Sequence, residues 1–133
     1  MSTIIDLPPP PSVNGLYRNT TAAEQAYWVA RGHKKRSRVK TDRYRTWLSA
    51  AGWDIKAQHP APVRGRYDLT VTVAEGASKS DLGNLIKATE DLLVAHHIID
   101  DDRDSNRIIL QWGPVPTGCR VEIAAAAQGR AAA

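Results

Sequence analysis

SDLGNLIKATEDLLVAHHIIDDDRD, residues 80–104, is the stretch on which both fold and chemistry turn. Leu82, Leu85, Ile86, Leu92 and Leu93 recur at helical spacing and predict an amphipathic helix from Ser80 or Asp81 to about His96. Ile98 and Ile99 return the chain to a core, and Asp100, Asp101 and Asp102 follow at once. On such a helix Asp81, Asn84, Lys87 and Asp91 stand at steps of three, three and four, so they share one polar face.

Working outward, Tyr67 to Val73 alternates with period two and is rich in β-branched residues, which predicts a strand with one buried face. Arg107 to Trp112 and Arg120 to Ile123 predict two more strands, paired through a turn from Gly113 to Gly118. Upstream, Tyr44, Trp47, Leu48, Ala51 and Ile55 form the apolar stripe of a helix capped by Thr41 or Asp42 and running to about Gln58. His59-Pro60 ends it, and His59 reads as a helix-end residue rather than a ligand. Thr3 to Leu7 predicts an edge strand stopped by Pro8 to Pro11, with a turn at Ser12 to Arg18. Residues 19–40 are polar, basic and without periodicity: a mobile loop, with at most a helical turn near Ala22 to Ala30. Tyr27 and Trp28 either cap the core there or stack on bases, and the core takes precedence. The order β, loop, α, β, α, β, β predicts an α+β fold, a mixed β-sheet covered on one face by two helices. Residues 1–125 form one domain, and 126–133 a low-complexity, frayed tail.

Composition narrows the function. The chain has 133 residues and a net charge of +4, enough for one core and not for two. No apolar run is long enough to span a membrane, and no secretory signal is visible. The single Cys119 excludes an internal disulfide or a Cys-based zinc cluster and reads as a small buried strand residue. A reducing, cytoplasmic setting fits. Arg31, Lys34, Lys35, Arg36, Arg38, Lys40, Arg43 and Arg45 place eight of the eighteen basic residues in fifteen positions, opposed only by Asp42. Such a run neutralises phosphates without regard to sequence, or simply keeps a loop solvated.

Against this basic background, seven of the fourteen acidic residues lie between Asp81 and Asp104. Singly, each has an ordinary reading: Asp81 as a helix N-cap, Lys87 and Asp91 as a surface pair, Asp100 to Asp102 as a turn. Together, three adjacent carboxylates repel unless a cation or base intervenes. Mg²⁺ and Mn²⁺ prefer hard oxygen ligands. If Asp102 folds back towards Asp81, the two can share an ion while Lys87 neutralises a scissile phosphate. Metal-assisted phosphodiester hydrolysis is the reaction that suits this set.

Most of the chain resembles the RusA family of phage and prophage Holliday junction resolvases. The resemblance rests on Pro10-Pro-Ser-Val-Asn-Gly-Leu-Tyr-Arg18, Tyr44-Arg-Thr-Trp47, Asp81-Leu-Gly-Asn-Leu-Ile-Lys87, Asp91-Leu-Leu and the pair Asp101-Asp102. The family pattern reads D-x-D-N-x-x-K…D-x-L…D-D. It implies a homodimeric endonuclease dependent on Mg²⁺, with Mn²⁺ able to substitute, that nicks opposed strands of a four-way DNA junction in recombination and repair. It further implies that Asp81, Lys87 and Asp102 are catalytic, that Asp81 and Asp102, with Asp101 as a weaker candidate, hold the metal, and that Asn84 and Asp91 support them. Arg18, Lys34, Lys35, Arg36, Arg38, Lys40 and Arg43 are the expected DNA contacts. One departure stands out: the second aspartate of D-x-D is Gly83 here. Its loss removes a ligand, and predicts weaker metal affinity or a branched-DNA binder without activity. A general nucleic-acid-binding domain, its acids purely structural, is a third reading.

Overall fold

The computed structural model describes residues 2–34 and 36–127. The elements are β1 (Ser2–Leu7), β2 (Tyr17–Asn19), α1 (Ala22–Ala30), β3 (Arg38–Lys40), α2 (Asp42–Gln58), β4 (Tyr67–Val73), α3 (Ile86–Ala95), β5 (Ser105–Trp112) and β6 (Cys119–Ala125). Four strands form one mixed sheet in the order β1-β6-β4-β5, with β4 and β5 parallel and the other pairs antiparallel. Alternation along the strands sends Ile5, Leu7, Leu69, Val71, Val73, Cys119, Val121 and Ile123 into one core. Tyr44, Trp47, Ala51 and Ile55 of α2 and Ala88, Leu92 and Leu93 of α3 join the same cluster, so both helices cover one face. The opposite face carries Asp6, Asp68, Thr70, Arg120 and Glu122, as expected of a sheet with one solvated side. Cys119 is buried and free, and burial pushes its thiol up to about 12.

The expected hairpin of the last two strands does not form. β5 instead pairs with β4 through the α3 crossover, and β6 is inserted between β1 and β4. Side-chain character explains the choice. Cys119, Val121 and Ile123 are wholly buried, which suits a central strand, whereas Arg107, Ile108 and Gln111 are exposed, which suits an edge. β1 is the other edge, as expected. Beyond it Pro8 is held by the Trp47 indole N–H, which donates to the Pro8 carbonyl at 3.0 Å.

Two further expectations need correction. The stretch opening at Asp81 is not one helix: a 3₁₀ turn, Leu82–Asn84, comes first and α3 begins only at Ile86. Gly83 and Asn84 are poor helix formers, and Asp81 stays extended at φ −67°, ψ 149°. Asp81 and Asn84 therefore do not lie on the helical face of Lys87 and Asp91. Residues 19–40 are not a plain loop either. α1 occupies Ala22–Ala30, and β2 pairs antiparallel with β3 to form a ribbon around it. The predicted tail at 126–133 lies outside the described residues apart from Ala126 and Ala127, as does Lys35.

Candidate active site

α3 presents Lys87 in its first turn and Asp91 one turn on, with Nζ to Oδ1 at 3.0 Å. Lysine preceding the acid is the less favourable order against the helix dipole, and a pair this exposed contributes little stability. Asp102 enters from the 3₁₀ turn Asp102–Asp104, its Oδ2 lying 3.9 Å from the same ammonium. Side chains distant in sequence thus converge on a half-exposed lysine. The hydrogen bond from Lys87 to Asp91, reinforced by the charges of Asp102 and Glu90, raises the Lys87 pKa. The side chain is a fixed cation, suited to holding an anion and unsuited to taking a proton.

The three consecutive aspartates relieve their mutual repulsion by dispersing. Asp100 takes Arg64 at 2.7 Å and the Gly65 N–H at 3.1 Å. Asp101 accepts from the Arg103 N–H at 3.0 Å and faces its guanidinium at 3.4 Å. Asp102 faces Lys87. The Gly65 and Arg103 backbone donors are the first cause of the lowered pKa of Asp100 and Asp101 respectively. Basic groups of the chain itself therefore supply the cations that the acidic run calls for.

Glu90 and Tyr67 belong to this cluster, and neither is among the site residues expected from the sequence. The Tyr67 hydroxyl donates to Glu90 Oε2 at 3.0 Å and lies 3.4 Å from the Asp102 carbonyl oxygen. Burial, above all, raises the Glu90 pKa; the charges of Asp102 and Asp91 add to it, against Tyr67 and Lys87. On a helix continuous from Asp81, Glu90 would fall on the side opposite Asp81. Since α3 starts at Ile86, the useful signal was its i+3 spacing from Lys87.

Asp81 stands apart. Its carbonyl accepts from the Asn84 N–H at 3.0 Å, but its exposed side chain makes no capping bond. Among the described residues no hydrogen bond or ion pair joins Asp81 or Asn84 to the Lys87 cluster. A side chain at Gly83 would meet no atom within 4 Å. The donors offered are all oxygen, the chemistry Mg²⁺ prefers. They are not gathered: among the described residues no three acidic, His or Cys side chains stand together as ion ligands.

Of the expected DNA contacts, Arg18 is engaged in a two-pronged bond with Glu24, each distance 2.9 Å. Arg45, in the same basic run, pairs with Asp42. Lys34, Arg36, Arg38, Lys40 and Arg43 are exposed and have no carboxylate partner among the described residues. Among the described residues no helix is long and apolar enough to cross a membrane. No family model matches the chain and no curated protein matches it.

Proposed function

We propose that the chain is a divalent-metal-dependent endonuclease that resolves four-way junctions and related branched DNA by paired phosphodiester hydrolysis, as a homodimer. Recombination and repair in the cytoplasm of a bacterium or phage-infected host would be its setting. The convergence of Asp91 and Asp102 on Lys87 is the observation that carries this reading. Such a lysine can exchange a carboxylate for a scissile phosphate and neutralise the charge that develops on it. Asp91 orients the ammonium, and Asn84 steadies the turn that carries Asp81. Asp81 and Asp102, with Asp101 as a weaker candidate, would hold Mg²⁺ or Mn²⁺. The ion, when bound, lowers the pKa of a water nucleophile and polarises the phosphoryl oxygens. The basic run of the sequence that holds Lys34, Lys35, Arg36, Arg38, Lys40 and Arg43 grips flanking phosphates. The unpaired edge of β5, where Ile108 is exposed, offers a second copy a strand to pair with.

A second reading, a branched-DNA-binding protein without hydrolysis, is favoured by Gly83, which takes the place of a carboxylate. A labelled four-way junction tells the two apart. Cleavage in Mg²⁺ or Mn²⁺ supports the nuclease, and tight, metal-independent binding with the junction left whole supports the binder. Equal affinity for junction and linear duplex removes both in favour of a general binder.

A further inference from the structure

α1 is a helix with no buried residue, although seven of its nine side chains are Ala, Val, Tyr or Trp. Polar bonds hold it in place of a core. Thr21 and Glu24 form a reciprocal capping box, Glu24 takes Arg18, and the Gln25 amide reaches the Thr20 hydroxyl at 3.0 Å. That hydroxyl in turn donates to the Arg36 carbonyl at 2.6 Å, clipping α1 to the returning strand. At the other end Gly32, at φ +80°, lets the Gly32 and His33 N–H groups return to Val29 and Trp28. The turn sets the His33 ring edge-on to Trp28 at 5.4 Å.

The result is an aromatic pair, Tyr27 exposed and Trp28 half-buried, with guanidinium groups stacked on the rings. The Arg31 guanidinium lies over the Tyr27 ring at 3.5 Å and that of Arg36 over Trp28 at 4.6 Å. Tyr27 is 48% exposed, and Trp28 lies perpendicular to it at 5.3 Å. Neither ring caps the core, contrary to expectation. Guanidinium groups stacked on partly exposed rings, with no carboxylate partner among the described residues, match a partner that is anionic along its length and carries flat rings.

We infer that α1 and its C-terminal turn form a stacking site for unpaired nucleobases, with Tyr27 and Trp28 as the platform and Arg31 and Arg36 on the adjoining phosphates. The inference deepens the proposed function: paired duplex hides its bases, whereas a branch point unstacks them, so this module selects the branch. It also stands as a single-strand site if no hydrolysis occurs.

The test measures fluorescence anisotropy with a labelled oligothymidylate, an abasic strand of equal length, a linear duplex and a four-way junction. The wild-type protein should bind oligothymidylate more tightly than the abasic strand. Tyr27→Ala and Trp28→Ala should each lose about five- to a hundredfold on oligothymidylate and abolish that preference, leaving duplex affinity unchanged. Trp28→Phe should restore much of it, and Asp102→Asn should leave it intact. Loss of the same factor on duplex, an unchanged preference in both alanine variants, or a switch from dimer to monomer in light scattering overturns the inference. So does avid binding to phosphatidylserine vesicles that Trp28→Ala abolishes while oligothymidylate binding persists. A wild-type protein that prefers bases but never nicks a junction overturns the proposed hydrolysis alone.

Discussion

At the scale of single residues, Lys87 and Glu90 carry the most specific consequences. Glu90 has a folded-state pKa above its unfolded value, because burial and neighbouring carboxylates disfavour its charge. Its contribution to stability is therefore full at acidic pH and declines as pH rises through the folded value. Glu90→Gln should melt higher than wild type at pH 7, and the gain should vanish below about pH 4, where both states are protonated. Thermal melts across that range check it; a lower melting temperature at pH 7 would contradict the assignment. Gly83 is the other informative position. With open space around it, Gly83→Asp should fold normally and lower the Mg²⁺ or Mn²⁺ concentration needed for cleavage by about tenfold or more, which a metal titration reads directly. Helical spacing made the Lys87–Asp91 pair legible in the sequence, and the return of the chain through Ile98 and Ile99 made the approach of Asp102 conceivable. Glu90 stayed hidden because the phase of a helix depends on where it starts, and Gly83-Asn84 delays α3 to Ile86.

At the scale of elements, periodicity identified α2, β4 and the body of α3, since each buries one regular stripe. It failed for α1, which has no stripe to bury and is fixed by Thr21, Glu24 and Gly32 instead. It failed too for the pairing of β5 and β6, where relative burial decides between an edge and a central place and a short connecting turn suggests the wrong neighbour. α1 should accordingly be separable from the core. Glu24→Ala removes the side-chain half of the capping box and the Arg18 partner together, a local loss. Hydrogen exchange in residues 22–30 should quicken while the global melting temperature barely moves, and a cooperative loss of the whole fold would show that α1 is part of the core. The end of α3 offers the opposite case. His97 sits at φ +59° while the His97 and Ile98 N–H groups return to Val94 and Leu93, a conformation glycine adopts without strain. His97→Gly should stabilise the protein by about 1 kcal/mol in denaturant unfolding.

For the whole molecule, the division of labour is by charge. Charge is segregated along the chain: the flanks and strands of the β2–β3 ribbon are basic, while the segment from Asp81 to Asp104 concentrates the acids. If the exposed basic residues meet phosphates, junction affinity should fall steeply with salt, and each of Arg36, Arg38 and Lys40 changed to Ala should flatten the slope of log K against log salt by about 0.9. The most direct measurement is cleavage of a four-way junction, end-labelled on each strand in turn, by the wild-type protein and by Lys87→Ala and Asp102→Asn in Mg²⁺ and in Mn²⁺. The account predicts symmetrically placed nicks in opposed strands that require the ion and disappear in both variants while junction binding persists. Nicks that survive in Lys87→Ala, or a junction left whole by wild type and by Gly83→Asp under either ion, would contradict it.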